Sequence, residues 1–523
     1  MRTSSKLKTS LRAALALYAV AMASANATDT TDDYPQQPAI VNYTTSEAGN
    51  PFVDGWYADP DTAIYQGVYW VFPTSSYVYD QQTYLDAFSS PDLVHWTKHA
   101  NILTTKDVTW ATKAVWAPAP AFRNGKYFIY FGANDIQEGE PEQGFIGGIG
   151  VAVADNPQGP YVDALGKPLI GAYNNSAQPI DQDVFIDDDG QAYIYYGGHG
   201  HANVAKLKED MISFDTFEDG TTFKEITPRD YAEGPQILKR NGKYYLMWSE
   251  GGWTGPDYQV SYAVADSPLG PFLGVSGTTI LQQDSAVAKG SGHNGVIHVP
   301  GTDIYYIVYH RRPLSENAGE HRVLCYDRMY FNEDGSIKPI KMLVKDHFTD
   351  GDMVGWKVYP EGSEPEGAHV VDNKLEVKSR SKSGTIVALD TNFTDQLYDA
   401  TVILSNSSND FGTSAGLVFG VKNVPSVPYK TKGYYAGLST AGRVFIMNLG
   451  DGTSTLVEGV DIKPDIEHHI RVSAIGANIS VFVDDLTWPR LTLDGSNHAA
   501  GMNGVAVFNM EAKFGNVSIA EAS

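Results

Sequence analysis

The sequence predicts an all-β protein, a five-bladed β-propeller followed by a β-sandwich of jelly-roll type. Three observations carry that expectation. One aromatic strand recurs five times, and a residue of functional type stands 10 to 12 residues ahead of each copy. The 51 glycines, 27 prolines and 31 tyrosines accompany few segments of helical period, as in turn-rich β proteins.

The copies are Gly67-Val-Tyr69-Trp70-Val-Phe72, Gly125-Lys-Tyr127-Phe-Ile-Tyr130, Gly190-Gln-Ala-Tyr193-Ile-Tyr195, Gly242-Lys-Tyr244-Tyr245-Leu and Asp303-Ile-Tyr305-Tyr306-Ile-Val-Tyr309. Their tyrosines lie 58, 66, 51 and 61 residues apart, long for a four-stranded blade but leaving room for loop insertions. A weaker repeat supports the same reading. Ala154-Asp-Asn-Pro-Gln-Gly-Pro-Tyr161 returns as Ala265-Asp-Ser-Pro-Leu-Gly-Pro-Phe272, with Ser89-Ser-Pro-Asp-Leu-Val-His-Trp96 a looser relative. Each such turn follows an apolar strand and belongs at the outer end of a blade.

After the last copy, Arg322-Val-Leu-Cys-Tyr-Asp-Arg-Met-Tyr-Phe and the turn Asn332-Glu-Asp-Gly335 read as a closing hairpin. Beyond Pro339 the pattern changes to short alternating strands such as Lys374-Leu-Glu-Val-Lys and Ile479-Ser-Val-Phe-Val-Asp484. The propeller is therefore placed at residues 38–345 and the sandwich at 346–523.

A chain of 523 residues is too long for one ordinary core, so two domains are expected. Its net charge of -24 would repel phosphate backbones and anionic membranes, which excludes nucleic acid and membrane partners and fits a neutral ligand. Lys6, Lys8 and Arg12 precede an apolar run from Ala13 to Ala25, ending in Ala25-Asn26-Ala27. Residues 1–27 thus read as a secretory signal peptide, and a secreted, extracellular, soluble protein beginning near Thr28 is expected. Sequons at Asn42, Asn174, Asn392, Asn406, Asn478 and Asn516 fit a glycosylated product. The one cysteine, Cys325, lies in an alternating apolar stretch and reads as a buried strand residue.

Counting back from the five tyrosines reaches Asp59, Trp116, Asp181, Glu233 and His293. In a closed ring these five positions would be equivalent and meet near the axis. Three carboxylates in one partly dry pocket cannot all ionise freely, so their pKa values should separate. Glycoside hydrolysis requires that separation, one carboxyl protonated to donate to the leaving oxygen and another ionised to activate water. Trp116 would offer its face to a sugar ring. Asp61 and Asp183 stand close to Asp59 and Asp181 and compete with them for register. The Asp187-Asp-Asp-Gly190 run lacks calcium-loop spacing and reads as a hairpin turn, and His199 and His201 read as a solvent-side loop with no metal partner set.

Ala-Asp-Pro at 58–60, Trp-Ala-Pro at 116–118, Ile-Asp-x-x-Val-Phe at 180–185, Glu-Gly-Pro at 233–235 and Gly-His-Asn at 292–294 resemble the ordered motifs of glycoside hydrolase family 43. The resemblance spans about residues 38–345 and implies five blades and an inverting mechanism. It implies Asp59 as general base, Glu233 as general acid and Asp181 as the residue that tunes and orients the acid. His293 matches a central histidine found near a channel cation or water cluster, so a structural calcium is implied beside it, with no cofactor required for the chemistry. Arg322 matches an arginine that contacts the tuning carboxylate and the sugar. The family often has proline after the tuning aspartate, where this chain has Gln182 followed by Asp183.

The expected protein is a monomeric, secreted, inverting hydrolase that releases terminal α-L-arabinofuranosyl or β-D-xylosyl units from plant cell-wall polysaccharides or oligosaccharides such as xylan and arabinan. An endo-arabinanase or exo-galactanase of the same fold is the nearer alternative, and a catalytically inactive sugar-binding propeller the remoter one. The three carboxylates favour an enzyme, because a lectin has no need of a raised-pKa acid opposite a base. Residues 346–523 resemble the concanavalin-like sandwiches appended to carbohydrate-active enzymes, which makes them a candidate carbohydrate-binding module.

Overall fold

A computed structural model describes residues 50–273, 278–349, 351–359, 367–405, 412–422, 424 and 431–522. The expected signal peptide and the sequons at Asn42 and Asn406 lie outside these residues.

The first part is five sheets arranged in a ring. Blade I comprises β1 (Tyr57–Tyr65), β2 (Val68–Ser75), β3 (Tyr84–Ser90) and β4 (Thr97–Thr104). Blade II comprises β5 (Val115–Arg123), β6 (Lys126–Ala133), β7 (Gly148–Ala154) and β8 (Val162–Asp163). Blade III comprises β9 (Asp183–Ile186), β10 (Ala192–Tyr196), β11 (Asn203–Leu207) and β12 (Phe223–Glu225). Blade IV comprises β13 (Glu233–Arg240), β14 (Lys243–Glu250), β15 (Gln259–Ala265) and β16 (Thr279–Leu281). Blade V has β17 (Ala288–Val299), β18 (Ile304–Pro313) and β19 (Val323–Met329). The first strands β1, β5, β9, β13 and β17 each touch the next, and β17 returns to β1, so the ring closes around them.

The recurrent aromatic strand is the second strand of each blade, and its position explains its composition. A second strand is buried on both faces, so it reads as a continuous apolar run rather than an alternation. On β2, Trp70 and Phe72 pack against Ile129 and Phe131 of blade II, while Tyr69 and Val71 pack against Tyr306 and Val308 of blade V. The same division continues around the ring, so one apolar core fills each space between neighbouring blades. Cys325 is fully buried in one of them, and burial pushes its thiol up to about 12. The Pro-Gly turns join third to fourth strands, β7 to β8 and β15 to β16, with Gly159 N–H donating to Asn156 and Gly270 N–H to Ser267.

The residues before β1 complete blade V. Phe52 N–H donates to Leu324 O at 3.1 Å and Tyr57 N–H to Arg322 O at 2.8 Å, so this segment runs along the free edge of β19. The side chain of Asn50 imitates a strand residue. Its Nδ2 donates to Tyr326 O at 2.9 Å and its Oδ1 accepts from Tyr326 N–H at 3.0 Å.

From Val344 onward the chain builds two facing antiparallel sheets. Strands such as Gln396–Leu404, Glu467–Ile475, Asn478–Val483 and Glu511–Glu521 share one sheet. Thr385–Phe393, Ser414–Lys422, Lys432–Ser439 and Gly501–Phe508 share the other. Val402, Ile470, Val472 and Phe514 meet Leu417, Phe419, Ala436 and Val505 in the core between them. The strict alternation of buried and accessible residues in Glu467–Ile475 is the period of two that one covered face demands.

Candidate active site

At its entry into each blade the chain adopts a left-handed backbone turn. Positive φ occurs at Asp59 (46°), Ala117 (43°), Asp181 (55°), Gly234 (64°) and His293 (45°). In blades I, II, IV and V the pairing slips at these points, as Ala58, Trp116, Glu233 and Gly292 lie opposite Thr74, Gly132, Ser249 and His310. These are β-bulges, which twist the strand and re-aim its side chains.

The bulges refine the expected equivalence. Asp59, Asp181 and His293 occupy the left-handed position itself, whereas Trp116 and Glu233 stand one residue earlier. The left-handed kind serves blades I, III and V and the earlier kind blades II and IV, and both face the axis. Glycine is required where rings crowd in. A Cβ on Gly132 would meet the Trp116 indole at 2.8 Å, and one on Gly292 would meet the Tyr258 ring at 2.3 Å.

Asp59, Trp116, Asp181, Glu233, His293 and Arg322 all line one cavity of about 380 Å³. Six residues named from the chain alone therefore converge. Tyr79, Gln82, Asp135, Gln137, Gln178 and Trp253 line it as well and were not foreseen. They come from loops outside the five aromatic repeats, so no common offset marks them. His199 is exposed, as expected of a loop residue, yet it also sits on the cavity wall.

Arg322 Nη1 donates to Asp59 Oδ1 at 2.9 Å, and its Nε donates to Ser76 Oγ at 3.0 Å. His293 Nδ1 lies 3.4 Å from Asp59 Oδ1 and 3.8 Å from Asp181 Oδ2. Burial pushes the Asp59 carboxyl up, but its neighbours, the Arg322 guanidinium foremost, outweigh burial and hold the group below the usual carboxylate range. Asp59 is ionised. Glu233 receives the hydroxyl of Tyr258 on Oε1 at 2.8 Å. Burial, reinforced by the charge of Asp59, nevertheless drives Glu233 up to about 7. Asp181 is raised well above its ordinary value by burial and by the neighbouring Glu233 and Asp59. Burial lowers His293 below its ordinary value, against the opposing charge of Asp59.

Asp61 and Asp183 do not line the cavity. Burial raises both, Asp61 further by the charge of Asp183, and Asp183 to about 7. Asp183 Oδ2 accepts the Ile237 N–H at 2.7 Å. The Asp187 run is the turn between β9 and β10, with Asp187 bonded to Lys239 and Tyr244. The calcium expectation fits poorly with this donor set. His293 Nδ1 faces the carboxylates of Asp59, which is bonded to Arg322, and Asp181, and among the described residues no three His, Cys, Asp or Glu side chains converge as metal ligands.

The profile of glycosyl hydrolases family 43 matches residues 48–337. The chain belongs to that family. A β-D-galactofuranosidase (xynD) of Aspergillus niger is 45% identical over 328 residues, covering 60% of this chain and 92% of the relative. A xylosidase/arabinosidase 43A of Humicola insolens is 29% identical over 55% of this chain and 98% of its own. Among solved structures, an α-L-arabinofuranosidase from Clostridium thermocellum is 29% identical with a TM-score of 0.45, covering 57% of this chain and 96% of that one. This family-43 member is a glycoside hydrolase.

Proposed function

We propose that this glycoside hydrolase is secreted and releases terminal α-L-arabinofuranosyl or β-D-xylosyl units from plant cell-wall glycans with inversion. The observation that carries the reading is the pairing, in one cavity, of an ionised Asp59 with a protonated Glu233. Asp59 takes a proton from the water that attacks the anomeric carbon, and Glu233 gives its proton to the departing glycosidic oxygen. Asp181, close to both, raises the affinity of Glu233 for that proton and orients it. Trp116 and Trp253 offer indole faces to the sugar rings. Export rests on Lys6, Lys8 and Arg12 ahead of the apolar run that ends at Ala25.

A second substrate, the terminal β-D-galactofuranosyl unit, is favoured by the name of the 45%-identical relative. β-D-Galactofuranose repeats the ring configuration of α-L-arabinofuranose and adds one exocyclic carbon. A site that grips the furanose ring would accept both if its end wall leaves room for that carbon. Initial rates on nitrophenyl α-L-arabinofuranoside, β-D-galactofuranoside and β-D-xylopyranoside, with arabinan and xylan digests, decide among them. Inversion is followed by NMR of the first anomer released. Retention of configuration, or no release from any of the three glycosides, would sink the proposal.

A further inference from the structure

Asp59 is held by more than its carboxylate. Its backbone N–H donates to Nδ1 of His310, on the second strand of blade V, at 3.1 Å. The bond belongs to a pattern. Thr74 Oγ1 on blade I accepts the N–H of Ala117 at 2.7 Å, and Ser249 Oγ on blade IV accepts the N–H of His293 at 2.9 Å. Thr74, Ser249 and His310 occupy the same sheet position, opposite the bulge of their own blade. Each reaches across to pin the left-handed residue of the following blade. A hydroxyl suffices twice, so the imidazole at 310 has some further use.

That use lies on its ring face. The Tyr258 ring stacks on His310 with centroids 5.6 Å apart and planes 5° from parallel. Tyr258 in turn donates its hydroxyl to Glu233. Gly292, opposite His310, leaves the space that the Tyr258 ring fills. His310 is completely buried and does not line the cavity. Burial lowers it to about 4, so the ring is neutral and Nδ1 is free to accept.

We propose that His310 is a positioning residue that sets the base and the acid relative to each other. Its Nδ1 fixes the backbone turn that aims Asp59, and its face fixes the tyrosine that aims Glu233. The inference rests on the base and acid roles proposed above.

Three variants separate the two tasks. His310→Ser keeps an acceptor of the kind Thr74 and Ser249 provide but loses the stack, His310→Phe keeps a flat ring but loses the acceptor, and His310→Ala loses both. Each is assayed on a dinitrophenyl furanoside, whose leaving group needs no proton, and on an oligosaccharide, whose leaving group does. With His310→Phe, kcat should fall at least about tenfold on both substrates, because the base acts in both. With His310→Ser, it should fall about tenfold on the oligosaccharide and little on the dinitrophenyl glycoside. KM should stay within about threefold throughout, since His310 does not touch the sugar. An equal ratio of the two kcat values in the Ser and Phe variants, unchanged rates, or failure of all three variants to give folded enzyme, as expected of a purely structural residue, would overturn the proposal. Near wild-type turnover by Asp59→Asn would instead remove the base assignment beneath it.

Discussion

Arg322 donates to Asp59 Oδ1 at 2.9 Å while the Trp253 indole covers its guanidinium at 4.8 Å. The cation that keeps the base ionised is thus capped by an aromatic face on the side toward solvent, where a water-exposed charge would be screened. Arg322 and Trp253 belong to loops of adjacent blades, so the electrostatics of the base depend on how blades IV and V meet.

Replacing Arg322 with Met should raise the Asp59 pKa, because the principal opposing cation is gone. The acidic limb of the kcat/KM profile then moves to higher pH, toward the ordinary carboxylate range near about 4. The rate at the optimum should fall about 10²–10³-fold. A pH–rate profile measured on the dinitrophenyl glycoside isolates the base and checks the direction. An unmoved acidic limb would show that Arg322 does not set the base.

Glu233→Gln removes the donated proton and keeps the side chain's shape. Turnover of an oligosaccharide should drop about 10²–10⁴-fold, while a dinitrophenyl glycoside should lose far less. In the wild type, the alkaline limb for the oligosaccharide should fall near the pKa of about 7 and be absent from the variant's dinitrophenyl profile. Asp59→Asn should be inactive on both. Equal losses on both substrates in Glu233→Gln would argue against its role as acid.

Trp253 is 36% exposed and lines the cavity, so part of its indole face is open to a sugar ring. Trp253→Ala should raise KM for oligosaccharides about tenfold through lost stacking, with a smaller change for a monosaccharide aryl glycoside. Steady-state kinetics over a series of chain lengths tests this. A KM independent of chain length would place the indole outside the sugar path.

The parts of the site that repeat with the blade were legible in the chain. Five second strands, buried on both faces, announce themselves as aromatic runs, and the site residues precede them at a near-constant offset. That offset wavers between 10 and 12 even among Asp59, Asp181 and His293, which share the left-handed position, because the stretch between that turn and the second strand differs in length from blade to blade. Strict alternation would point Asp59 and Asp61 the same way, but the left-handed turn at Asp59 breaks it, and Asp61 leaves the cavity for a buried place within reach of the charge of Asp183. Tyr258, His310 and Trp253 stayed hidden for a different reason. Tyr258 and Trp253 come from an irregular β14–β15 connection, and His310 looks like one more polar end to an apolar strand. Their chemistry arises from contacts across blades that no local pattern encodes.

Glu233 and Asp183 both sit near 7 when folded, above the ordinary carboxyl value, chiefly because burial disfavours their charge. Such groups contribute stability that is fully present below the unfolded pKa and is lost as pH rises through the folded one. Melting temperature should therefore decline between about pH 5 and pH 8. Asp183→Asn, which can still accept the Ile237 N–H, should flatten the decline. A differential scanning series in which wild type and variant fall in parallel would show that Asp183 has no part in it.

Asn50 closes the ring with a side chain where other blades use a strand. It is completely buried, and its amide meets both the N–H and the C=O of Tyr326, with a further bond to Asp327 Oδ2 at 3.3 Å. Asn50→Ala leaves those two backbone groups without partners in a space closed to water, and an unmet buried polar group costs about 1–3 kcal/mol. A loss of about 2–4 kcal/mol is expected, because partial relaxation of the segment before β1 recovers some of the sum. Urea unfolding followed by tryptophan fluorescence measures it. Since Asn50 lies on the outer edge of β19 and away from the cavity, kcat on aryl glycosides at low temperature should not change, so the seam at Asn50 governs how long the propeller stays closed rather than how it cleaves.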